Sequence, residues 1–339
     1  MKDLLDAPIL TQVTSKPRRC GMTSRSRRFK RILVPIDFSG PSLKAMPYAV
    51  AISRQFGADL HLLHVTDLTQ QPRPTLLTVP LVPQTEWNQR FMKRLQALAV
   101  KYRTGGKVSA LEPRTGTAYE EICAAAQELK SDLIVIATHG YTGYERAFLG
   151  STAERVVQHS RCPVLVVRQQ IKFWNEVADP RTRTGLRVRT IIAPTDFSEC
   201  SRVGFDCAVQ LARDFKAALQ LVHVINPHIY PFGDQYAALD PVPLMDKAAH
   251  AAENEMRSMA AGVKARYSVR VIQGSPAIQI SNAANEDVDL IVISTHGRTG
   301  LGHILIGSVA EHVVRYAHCP VLVVPARPDS TQLNQHTRK

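Results

Sequence analysis

Two glycine-spaced segments carry the residues best suited to bind an anion. Residues 138–157 read THGYTGYERAFLGSTAERVV, and residues 295–314 read THGRTGLGHILIGSVAEHVV. Each segment contains a Gly-Ser pair at the start of a helical pattern, at Gly150-Ser151 and at Gly307-Ser308. A helix that begins there would present free backbone N–H groups, and glycine would let a phosphate approach closely. The serine hydroxyl can cap the helix or donate to a phosphate oxygen.

The rest of the chain repeats in the same order, with an offset that drifts from 159 to 157 residues. The matching pairs are RILVPIDFSG (31–40) with RTIIAPTDFSE (189–199), LHLLHVTD (60–67) with LQLVHVIN (219–226), Gly116 with Gly274, DLIVIATHG (132–140) with DLIVISTHG (289–297), and RCPVLVV (161–167) with HCPVLVV (318–324). Self-similarity over this length indicates two homologous domains in tandem.

Short continuous apolar runs alternate with longer helical patterns in both copies. The expected strands lie near 31–36, 59–65, 107–112, 132–137 and 163–167, and near 189–194, 218–224, 267–272, 289–294 and 320–324. The expected helices of the first copy lie near 41–56, 85–103, 117–130 and 151–160, and the Pro-rich pieces 72–83 and 227–243 are expected loops. This alternation predicts an α/β fold: two doubly wound five-stranded parallel-sheet domains in tandem, each a Rossmann-like α/β/α sandwich.

The expected layout has five parts. They are a disordered basic extension (1–28), a first domain (29–168), a linker (169–188), a second domain (189–325) and a disordered tail (326–339). Met1 and Met22 are alternative candidates for the first residue of the protein. Both copies end in the apolar segment CPVLVV, and an unpaired edge of that kind is a liability. We therefore expect the two halves to pair through these strands as an intramolecular pseudo-dimer, with a homodimer as a further state.

Composition and charge narrow the class of protein. The chain has 339 residues, of which 45% are apolar, and no apolar run approaches the ~18–20 residues that span a bilayer. With no signal-peptide core either, we expect a cytoplasmic protein without a membrane partner. The net charge of +13 is concentrated in 1–31, 169–189 and 325–339. Near-neutral cores disfavour nucleic acid as a partner, although binding through the basic N-terminal arm stays an alternative.

Further candidate residues stand where the expected strands end. Asp37 and Asp196 follow the first strand of each copy, and His64-Val65 and His223-Val224 close the second. Because ligands of open parallel sheets bind at the carboxyl ends of strands, these residues and the Gly-rich turns should converge. We expect each of the two histidines to form a hydrogen bond with a neighbouring backbone group. The six cysteines form no CxxC pair, so we expect free thiols and no metal site.

The motifs PIDFS, HV, THGYTG and LGSTAERVV, with PTDFS, HV, THGRTGL and IGSVAEHVVRYAHCPVLVV in the second copy, carry a family resemblance. Over about 31–168 and 189–324 the chain resembles a tandem universal stress protein of the ATP-binding type. The resemblance implies a signature of Gly, two residues, Gly, nine residues, Gly, then Ser or Thr. The chain places Ala137, Gly140, Gly150 and Ser151, and then Ser294, Gly297, Gly307 and Ser308, at these positions.

The first signature glycine is therefore replaced in both copies, by Ala137 and Ser294. If that position requires positive φ, the replacement costs on the order of 1 kcal/mol. If it is merely the crowded end of strand four, any small residue suffices, and we favour this interpretation.

The resemblance also implies a binding site for adenine nucleotide. It places Asp37 and Asp196 beside the adenine, and Val65 and Val224 along the base pocket. The implied binding residues are Pro35, Asp37, Val65, Ala137, Gly140, Gly150, Ser151 and Thr152 in the first copy, and Pro194, Asp196, Val224, Ser294, Gly297, Arg298, Gly307, Ser308 and Val309 in the second. The implied cofactor is ATP, with ADP or AMP as alternatives and Mg²⁺ accompanying the nucleotide.

No residue is assigned to catalysis. The sequence has no Gly-Lys-Ser/Thr phosphate loop and no Gly-x-Ser-x-Gly elbow, and we interpret His139 and His296 as turn residues. The resemblance favours a stress-response protein whose output is a conformation or an interaction. A slow ATP hydrolase or nucleotidyl-transfer enzyme, and a module that binds no nucleotide, stay open.

The two sites should differ in affinity. The second copy has Arg298 in its turn, where the first copy has Tyr141, followed by Glu145. Each charge difference near a partly exposed anion is worth roughly 0.5–1 kcal/mol. We therefore expect the C-terminal site to bind nucleotide about tenfold more tightly.

Overall fold

The computed structural model describes residues 29–67, 84–102, 106–138, 150–168, 188–226, 241–284, 287–295 and 306–326. The strands are β1 (Arg31–Pro35), β2 (Asp59–Leu63), β3 (Val65–Thr66), β4 (Val108–Ala110), β5 (Arg114–Thr115), β6 (Leu133–Ala137), β7 (Val164–Val167), β8 (Thr190–Pro194), β9 (Ala218–Ile225), β10 (Tyr267–Gln273), β11 (Leu290–Ser294) and β12 (Val321–Val324). The helices are α1 (Gly40–Leu43), α2 (Ala45–Phe56), α3 (Gln84–Lys101), α4 (Ala118–Glu128), α5 (Ser151–His159), α6 (Glu199–Phe215), α7 (Pro241–Met259), α8 (Pro276–Ala283) and α9 (Ser308–Tyr316).

Ten strands form one continuous sheet in the order β10-β9-β8-β11-β12-β7-β6-β1-β2-β4. Each half has the doubly wound order third-second-first-fourth-fifth, so the strand order reverses between β1 and β6 and between β8 and β11. Pairing is parallel within each half. The predicted α/β class and the tandem arrangement of two parallel-sheet domains are confirmed.

The two CPVLVV segments join the halves. Strands β7 and β12 pair antiparallel, with Leu322 opposite Leu165 and the flanking valines paired on either side. Because these strands are equivalent, their antiparallel pairing brings the halves together in a twofold-like arrangement. The rings of Phe56 and Phe215, themselves equivalent residues, meet edge-to-face at 5.5 Å across the same junction. The pairing expected from the apolar edges is present.

Both faces of the sheet are covered by helices. Along β1, Ile32 and Val34 face one apolar layer, which includes α2 and α6, while Leu33 faces the other, which includes α5 and α9. All three side chains are fully buried. Strands that are buried on both faces explain why the sequence shows continuous apolar runs rather than alternation.

Two local departures from the expected elements have a proline as their cause. The first helix is interrupted at Lys44, between α1 and α2, because the Pro47 ring clashes with the carbonyl four residues earlier. In the first copy the ladder between the second and third strands also breaks, and β3 and β5 form a separate pair. Pro113, which has no N–H, precedes β5, whereas its counterpart Val271 pairs within β10.

Helix α7 begins at Pro241, so the last three residues of the expected loop 227–243 are helical, with proline at the tolerated first position. The rest of that loop, all of 72–83 and the extension 1–28 lie outside the described residues. So do the linker and the tail, apart from Val188 and Ala326. Among the described residues, every helix falls short of the length and apolarity that a membrane-crossing helix needs.

Candidate functional site

The exit from the first strand has the same backbone form in both copies. Asp37 Oδ1 accepts the Ser39 N–H at 2.8 Å, and Asp196 Oδ1 accepts the Ser198 N–H at 3.0 Å. The residue between them is phenylalanine, Phe38 at φ 62° and Phe197 at φ 65°. A bulky residue in the left-handed region is strained, and such strain is typical of functional turns. The tripeptide DFS occurs in both copies, but its left-handed phenylalanine was not among the features expected from the sequence.

Asp196 has a further contact with its serine. Asp196 Oδ1 also accepts the hydroxyl of Ser198, at 2.5 Å. The hydroxyl oxygens of Ser39 and Ser198 each cap a helix, by accepting the N–H three residues further on at 3.1 Å. The carboxylate beside the expected base position is therefore held by one more hydrogen bond in the second copy.

The histidines at the second strands tie that exit to the sheet, as expected. Nδ1 of His64 lies 2.7 Å from the Ile36 carbonyl oxygen, and Nδ1 of His223 lies 2.8 Å from the Thr195 carbonyl oxygen. Because a carbonyl only accepts, each ring donates through Nδ1. Burial is the main cause that lowers the pKa of His64, and the nearby Arg94 lowers it further, against the hydrogen bond to Ile36 and the charge of Asp37.

The expected base-pocket residues lie on the same face of the sheet as the Gly-Ser helices. Val224 is buried in the layer that also holds α5 and α9, and the half-buried Val65 packs against that layer. The prolines that end the first strands, Pro35 and Pro194, are buried. Within each copy the fold thus brings these residues to the carboxyl ends of the strands, near Gly150 in the first copy and near Gly307 in the second. Because β7 and β12 run antiparallel, the two groups lie at opposite edges of the continuous sheet.

Glycine is the N-cap of α5 and of α9. Gly150 has φ −59° and ψ 135°, Gly307 has φ −61° and ψ 142°, and neither helix has a side-chain cap. The Gly150 N–H donates to the Thr138 carbonyl at 2.5 Å, and the Gly307 N–H donates to the Thr295 carbonyl at 2.7 Å. These bonds attach each helix start to the end of its fourth strand.

This geometry restricts the role of the serine that follows each glycine. Ser151 and Ser308 are the first helical residues, and both are exposed. The interpretation in which their hydroxyls cap the helices is wrong, because the glycine stands at the cap position and the helices have no side-chain cap. Thr152 and Val309 follow as half-buried second residues.

The replaced signature glycines are explained by crowding. The described non-glycine residues with positive φ are Phe38, Lys130, Phe197, Lys216 and Asp287. Ala137 and Ser294 are therefore not in the left-handed region. A Cβ at Gly204 of α6 would lie 3.1 Å from the Ser294 backbone nitrogen, so a helix crosses closely over the end of β11. Small residues suffice there, as the favoured interpretation expects.

The middle of each Gly-rich turn lies outside the described residues. This applies to Gly140, Gly297 and Arg298, and also to His139, Tyr141, Glu145 and His296.

An aromatic layer distinguishes the first copy. Phe91 of α3 stacks on Phe38 with ring centroids 5.8 Å apart, and it lies 4.0 Å from the His64 ring. The guanidinium of Arg94, also on α3, lies 3.9 Å from the centroid of the Phe38 ring. Trp87 stacks on Phe91 in turn. Helix α7 contains no Phe, Tyr or Trp. The spacing of Trp87, Phe91 and Arg94 along one helix face was the signal that sequence reasoning overlooked.

Each Gly-Ser helix has an acidic residue in its first turn. Glu154 and Glu311 stand in the first turns of α5 and α9, and Arg315 lies 2.8 Å from Glu311 and 3.7 Å from Glu154. Within the described part of the chain, no group of three His, Cys, Asp or Glu side chains could hold a metal ion.

A cavity of about 230 Å³ lies elsewhere, lined by Lys130, Ser131, Arg161 and Cys162 among others. These residues precede β6 and β7, so the cavity lies at the amino ends of the first copy's strands. The candidate site of that copy lies at the carboxyl ends of the same strands, so the cavity is separate from it.

The fold and the repeated strand-end motifs define a tandem α/β protein with two equivalent candidate sites. Residues 28–168 and 187–325 each match the sequence profile of the universal stress protein family. The chain belongs to this family, as the motifs predicted.

Similar proteins include relatives of one and of two domains. Universal stress protein Rv2623 of Mycobacterium tuberculosis is 26% identical over 307 residues, covering 86% of this chain and 95% of the relative. Universal stress protein MJ0531 of Methanocaldococcus jannaschii is 35% identical over 147 residues, covering 42% of this chain and 85% of the relative. The solved structure of a universal stress protein from Archaeoglobus fulgidus covers 88% of this chain and 97% of its own, with a TM-score of 0.62 at 22% identity. That structure supports the fold alone.

Proposed function

We propose that this universal stress protein binds an adenine nucleotide, in the first place ATP, at the Gly-Ser helix starts of one or both domains. The observation that carries the proposal is the pair of glycine N-caps at Gly150 and Gly307. Serine, threonine or aspartate would cap a helix better than glycine, and at φ near −60° the backbone does not require glycine. A glycine N-cap adds no side chain above the first amides, which suits an approaching phosphate.

The residues around the glycines divide the nucleotide between them. The backbone amides of the first helical residues, at Ser151-Thr152 and Ser308-Val309, would receive the phosphates, since the amides of a first turn have no acceptor within the helix. The Gly150 and Gly307 amides are engaged by carbonyls and would only fix the position of the helix. Val65 and Val224 would contact the base, with Asp37 and Asp196 accepting hydrogen bonds from its edge or from the ribose.

A magnesium ion would enter with the nucleotide, because the phosphates supply the oxygen ligands that Mg²⁺ prefers. ADP and AMP offer the same base and fewer phosphates, so they are the alternative ligands. Arg298 would add a positive charge at the second site.

The biological role that we propose is a cytoplasmic stress response in which nucleotide occupancy changes a conformation or an interaction. We further propose domain boundaries at 29–168 and 189–325, with disordered segments outside them and a homodimer as a higher assembly. The twofold-like pairing of β7 with β12 already gives both sites a common support.

Titration calorimetry of ATP into the intact chain tests the proposal, because it reports affinity and stoichiometry together. We expect binding in the parent, and a loss of about 100-fold in the double variant Gly150→Asp/Gly307→Asp, since each carboxylate would stand where a phosphate approaches. The matched control is Gly150→Ala/Gly307→Ala, which adds the Cβ without the charge and suits the observed backbone angles.

If the Asp double variant binds ATP as tightly as the parent, the phosphate assignment is wrong. Release of ADP or pyrophosphate in the same samples, dependent on the two glycines, would instead support the alternative of a slow ATP hydrolase or nucleotidyl-transfer enzyme.

A further inference from the structure

One arginine is shared by the first turns of the two Gly-Ser helices. Nη2 of Arg315 on α9 donates to Glu311 Oε1 of the same helix at 2.8 Å. The same nitrogen lies 3.7 Å from Glu154 Oε2 on α5 of the other copy. The side chains of Arg315 and Glu154 are both 29% exposed and that of Glu311 is 35% exposed, so solvent screens this triad only in part.

The sharing is asymmetric, because the equivalent position in the first copy is Gln158. Its amide nitrogen lies 3.5 Å from Glu154 Oε1 and carries no charge. Arg168 reinforces the asymmetry by donating to the carbonyls of Ala317, at 2.9 Å, and of Arg315. Two carboxylates from two copies thus depend on one guanidinium. The buried Nε of Arg315 has no hydrogen-bond partner among the described residues, and a guanidinium bound side-on to a single carboxylate would use it.

Both glutamates belong to the first helical turns, directly after the amides that are proposed to receive the phosphates. The Glu154 N–H donates to the Gly150 carbonyl at 3.0 Å, and the Glu311 N–H donates to the Gly307 carbonyl at 2.9 Å. A negative side chain in the first turn favours the helix itself, but it repels an anion that binds at the same helix start. Arg315 offsets that repulsion at both sites, and its single charge cannot neutralise both carboxylates in full.

On the basis of the nucleotide site proposed above, we propose that Arg315 is a positioning residue that couples the two sites with negative cooperativity. A phosphate at one helix start adds negative charge on that side and draws the guanidinium toward it. The carboxylate of the other copy is then less neutralised, and the second nucleotide binds more weakly. For charges exposed to this degree we expect an effect of about threefold in affinity.

The experiment measures the ATP affinity of the N-terminal site in two states, with the C-terminal site occupied and with it empty. Gly307→Val is a neutral block of the C-terminal site, so ATP calorimetry on this variant gives the affinity of the N-terminal site beside an empty neighbour. The weaker binding event of the intact chain gives the same affinity beside a full neighbour. We expect the second value to be about threefold weaker than the first.

Two variants separate coupling from a merely structural role. Arg315→Gln removes the shared charge, so both affinities should weaken and their ratio should fall to about one. Gln158→Arg gives Glu154 an arginine of its own, so the N-terminal site should tighten while the ratio also falls to about one. Loss of packing alone would not produce this second result.

A ratio that stays near threefold in Arg315→Gln overturns the coupling while leaving nucleotide binding intact. A parent ratio of one does the same. Absence of any ATP binding in the parent overturns the proposed function as well, so the two failures are distinguishable.

Discussion

In both copies the phenylalanine after the first strand lies beside a histidine ring, Phe38 at 5.1 Å from His64 and Phe197 at 4.5 Å from His223. In the first copy Phe38 also stacks on Phe91 of α3, with ring centroids 5.8 Å apart. Helix α7, the counterpart of α3, contains no Phe, Tyr or Trp. The backbone beneath is the same in both copies, with a left-handed phenylalanine and a histidine bonded to a carbonyl. Backbone hydrogen bonds therefore preserve the shape of the site, while the side chains of the covering helix set its polarity and access.

The same contrast holds at the Gly-Ser helices. The glycine N-caps of the two helices agree within a few degrees in φ and ψ, and their N–H groups donate to the carbonyls of equivalent threonines. Their surroundings diverge at Gln158 and Arg315. A duplicated site can thus keep one binding geometry and acquire two affinities, because geometry depends on the main chain and affinity depends on charges that a single substitution changes.

The largest effect should be symmetric, because it concerns the strands on which both copies depend. Leu165 and Leu322 face each other between β7 and β12, and both are 2% exposed. Truncating either to alanine should lower the free energy of unfolding by about 3 kcal/mol, measured by urea denaturation. The control Val100→Ala, at a residue 64% exposed, should change little. Losses that differ by more than about 1 kcal/mol would show that the halves do not contribute equally to the junction.

The next effect should separate the copies. Gly150→Asp should leave the tighter ATP-binding event, and Gly307→Asp should leave an event about tenfold weaker, because the second site has Arg298 and the first has Tyr141 and Glu145 nearby in sequence. Calorimetry on each single variant measures the two residual affinities. Stronger residual binding in Gly307→Asp would reverse the order of the sites. Replacing Arg298 by Gln in the Gly150→Asp background should remove part of the tenfold difference.

The smallest effect concerns His64 and is specific to the first copy. Burial lowers the pKa of His64 below the ordinary value of 6.5, so the unfolded chain binds the proton first as the pH falls. The stability that His64 contributes is thus present above about pH 6.5 and decreases below it. We expect His64→Asn to cost about 1 kcal/mol at pH 8, from the lost bond to Ile36, and less at pH 5.

The matched control is Ser53→Ala, which removes a buried hydroxyl bond to the Ala58 carbonyl, at 2.6 Å, without any titration in this range. Its cost should be equal at both pH values. Phe91→Ala should admit water to the His64 ring, move the pKa of His64 toward its ordinary value and flatten the pH dependence. A His64→Asn cost that does not change between pH 8 and pH 5 would contradict this account.

Much of the fold could be predicted because it depends on local sequence patterns. The repeat, the continuous apolar strands and the paired CPVLVV edges all follow from burial on both faces of a parallel sheet. The positions of Asp37, Asp196 and the Gly-Ser pairs at strand ends followed from the same pattern. The interruption at Lys44 was equally readable from Pro47, and was missed because the helical period continues across it.

Other features of the site depend on distance in space rather than on sequence. Whether Ser151 caps α5 depends on which residue comes last before the helix, and Gly150 takes that position because its N–H is held by Thr138. Whether Ala137 and Ser294 require positive φ depends on the backbone conformation at the ends of β6 and β11, which is not left-handed. The sequence pattern allowed either answer in both cases.

The amino-acid sequence was sufficient to establish the family, the duplication and the class of doubly wound parallel-sheet domain, and it nominated the residues of the two candidate sites, since each rests on local periodicity or a contiguous motif. The packing of helices across the sheet decided which charges those sites share and which rings cover them. Arg315 meets Glu154 across 161 positions of chain because β7 and β12 bring α5 and α9 together. No periodicity in a linear sequence encodes such a contact, because it arises only when two separately folded layers are joined.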